Sequence, residues 1–186
     1  MKRTSATAVH PQFPDRWSSR SFDGTPLSQE QRDSLFEAAR FAPSSYNEQP
    51  WLFVIPNPDQ FEASFSLLSE GNREWVRQAG LLCFLTTKRI LEKTGEANRF
   101  FAFDAGSAWM SLALQAHHMG LSAHAMGGFD VEQSYKVLGV DKEKYEVLAA
   151  IAVGTPTPDA RASEERTDRK QISEITRPCD TIEGNG

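Results

Sequence analysis

Ala39-Arg40-Phe41-Ala42-Pro43-Ser44-Ser45-Tyr46-Asn47-Glu48-Gln49-Pro50-Trp51-Leu52-Phe53-Val54-Ile55 carries the chain from the end of a helix into a buried strand. Upstream, Ser28 and Gln31 are spaced as a capping box, and Leu35, Ala38, Ala39 and Ala42 recur at helical spacing until Pro43 stops the helix. Downstream, the apolar run Trp51–Ile55, framed by Pro50 and Pro56, reads as a short strand. The polar turn between them offers small hydroxyl and amide side chains on a path fixed by two prolines. Such a turn can line a polar ligand, and an ordinary helix-to-strand turn has the same composition.

Further out, Asp59 is placed to cap a helix burying Phe61, Phe65 and Leu68, and Leu81–Thr87 reads as a second strand. A long helix is predicted over 97–119, ending at Gly120. Its apolar residues occupy several faces, Phe100, Phe103, Trp109 and Leu114 lying off the main stripe, which predicts burial from several sides or a subunit contact. Leu121–Met126 and Tyr145–Val153 read as strands, with a helix between them capped by Asp130 and Gln133. After Gly154, Thr155-Pro156-Thr157-Pro158-Asp159 opens a charged stretch through Lys170, read as an extended C-terminal arm of about residues 155–186 on a single domain spanning 1–186. Strict alternation of helix and strand by itself predicts a parallel α/β sheet. The GxGxxG and GxxxxGK[ST] signatures of the common nucleotide-binding forms of that sheet are absent.

Composition bounds the function. A chain of 186 residues, 39% hydrophobic and 24% charged, is long enough for a core without metal or disulfides. The net charge of −5 argues against a broad nucleic-acid surface. The longest apolar run, Val147–Val153, is far short of the roughly 18 residues of a membrane helix, and no apolar segment follows Lys2 and Arg3 as in a secretory signal, so the expectation is a cytoplasmic protein away from membranes. Cys83 and Cys179 form no metal-ligand cluster with His, and Cys83 sits in an apolar run as an inert core thiol. No metal site is expected.

Two further segments are not explained by a core. Arg16-Trp17-Ser18-Ser19-Arg20-Ser21-Phe22 places two guanidinium groups around hydroxyls, a pattern suited to phosphate, though a solvated basic loop reads the same way. Met126-Gly127-Gly128-Phe129-Asp130 allows a flat ligand to approach backbone N–H groups closely, as does many a simple turn.

Taken together, these segments resemble the nitroreductase family of flavin-dependent oxidoreductases. The resemblance rests on R-x-S-x-R at Arg16–Arg20 followed by Phe22, and on A-R-x-A-P-S-S-x-N-x-Q-P-W at Ala39–Trp51. It extends to A-G-x-A-x-x-x-L-x-L-x-A at Ala105–Ala116, G-F-D at Gly128–Asp130, the Val147–Gly154 strand and a late Arg169. It implies an α+β fold, a three-layer sandwich with a mainly antiparallel sheet between helices, and a C-terminal arm exchanged in a homodimer that holds FMN at its interface. It also implies that Arg16, Trp17 and Ser18 meet the phosphate and ribityl chain, with Arg20 at the pyrimidine edge of the flavin. Pro43, Ser44, Ser45 and Asn47 would line the flavin from the other subunit, and Gly127 and Gly128 would present backbone to flavin N5. Arg169 would bind the phosphate, with Arg166 the weaker match. Asn72 matches a family Asn, but Trp75 stands where many relatives have Lys, which leaves Arg20 alone to face the N1–O2 edge. Gly127 stands where many have Glu.

The implied activity is FMN-dependent oxidation of NAD(P)H with ping-pong hydride transfer to nitroaromatic, quinone or enone acceptors. No catalytic side chain is required, because the flavin carries the chemistry. His10, His117, His118 and His124 read as structural. The same anchors also suit a flavin-binding or sensing module without turnover, or a flavin-consuming or dehalogenating member of the superfamily.

Overall fold

The computed structural model describes residue 3 and residues 5–179. Its helices are α1 (Gln12–Asp15), α2 (Gln29–Arg40), α3 (Phe61–Ser66), α4 (Glu70–Val76), α5 (Phe101–His118), α6 (Val131–Leu138), α7 (Pro158–Ser163) and α8 (Ile172–Ile175). The described strands β1 (Trp51–Val54), β2 (Leu81–Lys88), β3 (Ser122–Met126) and β4 (Tyr145–Gly154) form one sheet in the order β1-β2-β4-β3.

Every neighbouring pair in that sheet is antiparallel, which overturns the parallel sheet that alternation alone predicts. Alternation misleads for a definite reason. β2 and β3 do run parallel, joined by α5, but β4 enters between them and pairs antiparallel with both. The crossover is therefore split by a later strand, as in split βαβ arrangements. The α+β antiparallel fold implied by the family resemblance is the one present.

The two central strands are buried on both faces, and two apolar layers follow. On one face Leu35 and Ala39 of α2 and Ala105, Ala108, Leu112 and Ala116 of α5 pack on Cys83, Leu85, Ile151 and Val153. On the other, Phe65, Leu68 and Val76 pack with Phe84, Ala150 and Tyr135. Cys83 is fully enclosed, and burial pushes its thiol up to about 12, the inert core group expected.

Local signals place most element ends. The Ser28–Gln31 capping box forms, with Gln31 N–H donating to the Ser28 hydroxyl and Ser28 N–H to Gln31 Oε1. Asp130 accepts from Gln133 N–H at the start of α6. Other expectations change. Asn57, not Asp59, caps the turn that leads into α3, by accepting from Gln60 N–H. Helix α4 has no counterpart in the sequence reading. The face of α5 opposite the sheet is not covered: Phe103 is 76% exposed, and Phe100 and Met110 are also open. Within the span read as an extended arm, residues 156–163 dock on the domain. Pro156 bridges to Phe22, Thr157 N–H donates to Ser21, and Ala160 of α7 is buried.

Residues 22–27 cross the ends of β2 and β4 at very short range. A Cβ at Gly80 would sit 2.4 Å from the Thr25 carbonyl oxygen and 2.3 Å from Leu27 Cδ1. Gly80→Ala therefore forces backbone to move and is expected to destabilise the chain by about 1–3 kcal/mol. For a protein of this size each kcal/mol lowers Tm by about 2–4 °C. Gly71, in α4 with open space around it, is the control: Gly71→Ala should hold or raise Tm in the same thermal melts.

Candidate functional site

The segment Arg16–Arg20 is extended and alternates. Trp17 and Ser19 point inward and are buried, while Arg16, Ser18 and Arg20 face out. Its backbone is held against the open edge of β3 by side chains of that strand. The Ser122 hydroxyl accepts from Ser19 N–H (3.0 Å) and donates to the Trp17 carbonyl (2.8 Å). Two residues along, His124 Nδ1 lies 3.0 Å from the Ser19 carbonyl, and since a carbonyl only accepts, Nδ1 carries the proton.

Around this segment lies a cavity of about 400 Å³ lined by Arg3, Arg16, Ser18, Arg20, His124 and Arg169, together with Trp17, Thr167, Glu164 and Glu165. The Glu164 carboxylate accepts from Trp17 Nε1–H (2.7 Å) and Arg20 N–H (2.8 Å). Arg166 does not line the cavity; its guanidinium lies over the Trp17 ring at 4.1 Å. Among the described residues Arg3, Arg16, Arg20, Arg166 and Arg169 form no ion pair with a carboxylate. Burial first, and the Arg169 cation second, hold the Arg16 guanidinium below its ordinary value. Arg3 and Arg16 are half-buried and Arg20 and Arg169 exposed, with Glu164 and Glu165 on the same wall but in no ion pair with them. Such gathered like charges cost free energy that an anion among them offsets. The cavity thus fits a phosphate ester.

The strand β3 leads from this cavity to the glycine turn. From Ser122 to Met126 it rises about 13 Å. Gly128 then accepts hydrogen bonds at its carbonyl from Ser69 N–H (2.9 Å) and Asn72 Nδ2–H (3.0 Å), and Phe129 bridges to Leu68. A Cβ on Gly128 would meet Asn72 Nδ2 at 2.8 Å and Ser69 Oγ at 2.9 Å, whereas Gly127 faces open space. Asn72 thus ties the turn down. Trp75 packs its ring on His124 (4.8 Å between centroids) and near Phe22 (6.1 Å). This tilted pair fills the place where the resemblance led to a Lys.

The loop after α2 is held elsewhere. Pro43, Ser44 and Ser45 line a smaller cavity of about 230 Å³ with Phe100, Phe103 and Asp104. Ser45 N–H donates to the buried Asp104 carboxylate (3.1 Å), Gln49 N–H to the Ser44 hydroxyl (3.0 Å) and Glu92 N–H to Glu48 (2.9 Å). Tyr46, Asn47 and Gln49 all have positive φ, at 53°, 58° and 47°. Left-handed backbone at three non-glycine residues costs about 1–3 kcal/mol each and concentrates at ligand loops. Tyr46 is 87% exposed.

The sequence-derived residues therefore fall into two groups. Arg16, Trp17, Ser18, Arg20 and Arg169 share one cavity, and β3 connects it to Asn72, Gly127 and Gly128. Pro43, Ser44, Ser45 and Asn47 lie near the start of α5, at Asp104, whereas Arg16 is close enough to act electrostatically on His117 at its end. Thirteen helical residues separate the two ends by about 20 Å. One chain does not bring both groups together. Sequence reasoning missed Arg3, Glu164 and the cavity-facing role of His124. For His124 the signal was its i, i+2 placement with Ser122 on one face of β3; Glu164 reaches Trp17 only across most of the chain, and Arg3, bonded nearby to Pro14 and Arg16, reaches Thr167 in the same way. Among the described residues no cluster of three or more His, Cys, Asp or Glu is placed to hold a metal ion, and no helix is long and apolar enough to cross a membrane.

The nitroreductase family model matches residues 14–64 and 56–155, and the chain belongs to that family. It superposes with a TM-score of 0.87 on a solved oxidoreductase containing FMN, 34% identical over 96% of each chain. It is 22% identical over 183 residues to the oxygen-insensitive NAD(P)H nitroreductase of Salmonella typhimurium, covering 75% of this chain and 84% of that one. It is 25% identical over 177 residues to the enone reductase of CLA biosynthesis from Lactiplantibacillus plantarum, covering 75% and 82%. Arg3 and Arg169 lie outside the span that the family model matches.

Two measurements test this geometry. Gly128→Ala should lower Tm, by displacing Asn72 and Ser69, while Gly127→Ala stays within about 0.5 kcal/mol of the parent. Burial, the largest cause, and the nearby Arg20 and Arg16 lower the pKa of His124 despite its Ser19 contact and Glu164. Below about 6.5 the unfolded chain binds the proton that the folded chain resists, so this stabilisation is full above that pH and is lost as pH falls through the lower folded value. Tm measured from pH 7.5 to 5 should fall more steeply in the parent than in His124→Asn, and equal slopes would contradict the burial of a neutral imidazole.

Proposed function

We propose that the chain is an FMN-dependent NAD(P)H oxidoreductase that works as a homodimer. The observation that carries this reading is the cavity in which Arg16 and Arg169 face one another without a carboxylate partner, joined by β3 to a glycine turn of fixed shape. Arg16, Ser18 and Arg169 hold the phosphate of FMN, Arg20 offers its cation toward the pyrimidine edge, and Gly127 and Gly128 present backbone to the ring system. When bound, FMN supplies hydride transfer from NAD(P)H to an acceptor. The chain's residues anchor and orient it and set the polarity around it.

The separation of the two residue groups along α5 supports the dimer. A second copy brings its Pro43–Asn47 loop to the first copy's arginine cavity, and its apolar surface covers the exposed Phe41 and Phe103. The C-terminal arm packs on its own chain as far as Arg169, at Trp17, Arg3 and Arg16, and the exchange between copies falls to the residues after it. A planar acceptor such as a nitroaromatic, quinone or enone then enters where NAD(P)H has left, which gives ping-pong kinetics.

Purified protein should bind about one FMN per chain and prefer it to riboflavin, each well-formed charge-assisted contact to phosphate being worth about 1.5–3 kcal/mol. Isothermal titration with both flavins checks this, and equal affinities would reject the phosphate cavity. The loaded protein should sediment as a dimer and oxidise NADH or NADPH with parallel double-reciprocal lines against a quinone. Bound FMN without such turnover would make the chain a flavin-binding module instead.

A further inference from the structure

Arg3 belongs to none of the segments that carry the family resemblance, yet its guanidinium ties together two separate stretches of chain, at residues 14–16 and at Thr167. Nε donates to the Thr167 carbonyl (2.9 Å), and Nη1 donates to the carbonyls of Pro14 (3.3 Å) and Arg16 (2.7 Å). Those bonds use one N–H on Nε and two on Nη1, so the two N–H groups of Nη2 have no partner among the described residues. The side chain is half-buried and lines the same cavity as Arg16 and Arg169. Three carbonyl acceptors orient the planar fork, so little rotamer freedom is left to lose when an anion binds. Arg169, Arg16 and Arg166 all crowd its charge, and only Asp168 opposes them.

We propose that Arg3 is a phosphate-binding residue of this chain, a clasp that closes the cavity from the N-terminal side and presents Nη2 to the phosphate of FMN. The proposal rests on the FMN reading above and adds to it a residue outside the matched family span. It also gives the Arg3 contacts a second effect. The residue that binds the phosphate also holds the Arg16 carbonyl and the Thr167 turn next to Arg169, so it positions the other two cations.

Flavin-fluorescence titrations of the parent, Arg3→Ala and Arg3→Lys with FMN and with riboflavin, at one fixed salt concentration, decide the matter. Arg3→Ala should weaken FMN binding by about 10- to 100-fold, the loss of a charge-assisted contact. Riboflavin, which lacks the phosphate, should change by no more than about twofold. Arg3→Lys should fall between, since an ammonium keeps the charge but cannot hold three carbonyls and a phosphate at once. Equal weakening of both flavins would overturn the proposal and leave Arg3 a staple between the two ends of the chain. Unchanged affinity for both would overturn it as well. If Arg3→Ala melts too low to titrate, the FMN-to-riboflavin ratio of Arg3→Lys decides, and an unchanged ratio rejects the clasp. A parent protein that does not distinguish FMN from riboflavin would reject the phosphate cavity itself, a result separable from failure of Arg3 alone.

Discussion

The hydroxyl of Ser122, accepting from Ser19 N–H and donating to the Trp17 carbonyl, sets where the arginine segment lies, and with it the cavity. A sheet edge leaves backbone groups open to pairing, and here β3 is covered by a segment held through side chains rather than by another strand. Because the main chain of 17–19 is bonded inward, alternation along an extended backbone turns Arg16, Ser18 and Arg20 outward together. Buried Trp17 fixes the register of that alternation, through its bond to Glu164 and the Arg166 guanidinium over its ring.

The same strand then relates two chemically different ends of the site. At one end are cations that repel one another and are held close by backbone carbonyls and packing. At the other is a turn packed so closely at Gly128 that a side chain there would push Asn72 and Ser69 aside. Between them the Trp75 and His124 rings pack together, tilted 31° to one another, at the position where the family resemblance led to a Lys. The middle of the site is therefore apolar and aromatic, and its positive charge is concentrated at Arg20 and the arginines beyond it.

The strained loop at 44–49 belongs to a different part of the molecule. Its left-handed residues are maintained by bonds to Asp104, Ser44 and Glu92, and it projects Tyr46 into solvent beside exposed Phe103. The strained loop and its exposed aromatic surface thus lie at one end of α5 and the arginine cavity at the other, the separation on which the proposed dimer rests.

Much of this was legible in the residues. Local hydrogen-bonding chemistry and apolar periodicity placed α2, α6, β2 and β4 within a few residues, because caps and core stripes act over one or two turns of chain. The Ala39–Trp51 and Arg16–Arg20 segments pointed to the family and to most of the residues proposed to hold FMN. Strand order was not legible, since β4 enters between β2 and β3 through pairings that no local pattern encodes. Nor was the uncovered face of α5, for apolar residues on several sides read alike whether covered by the same chain or left open. Glu164 meets Trp17 and Arg20, and Arg3 meets Thr167, across more than a hundred residues of chain. What local chemistry dictates, the sequence determined by itself; which distant groups share one cavity was decided only when the sheet closed and brought both ends of the chain to the edge of β3.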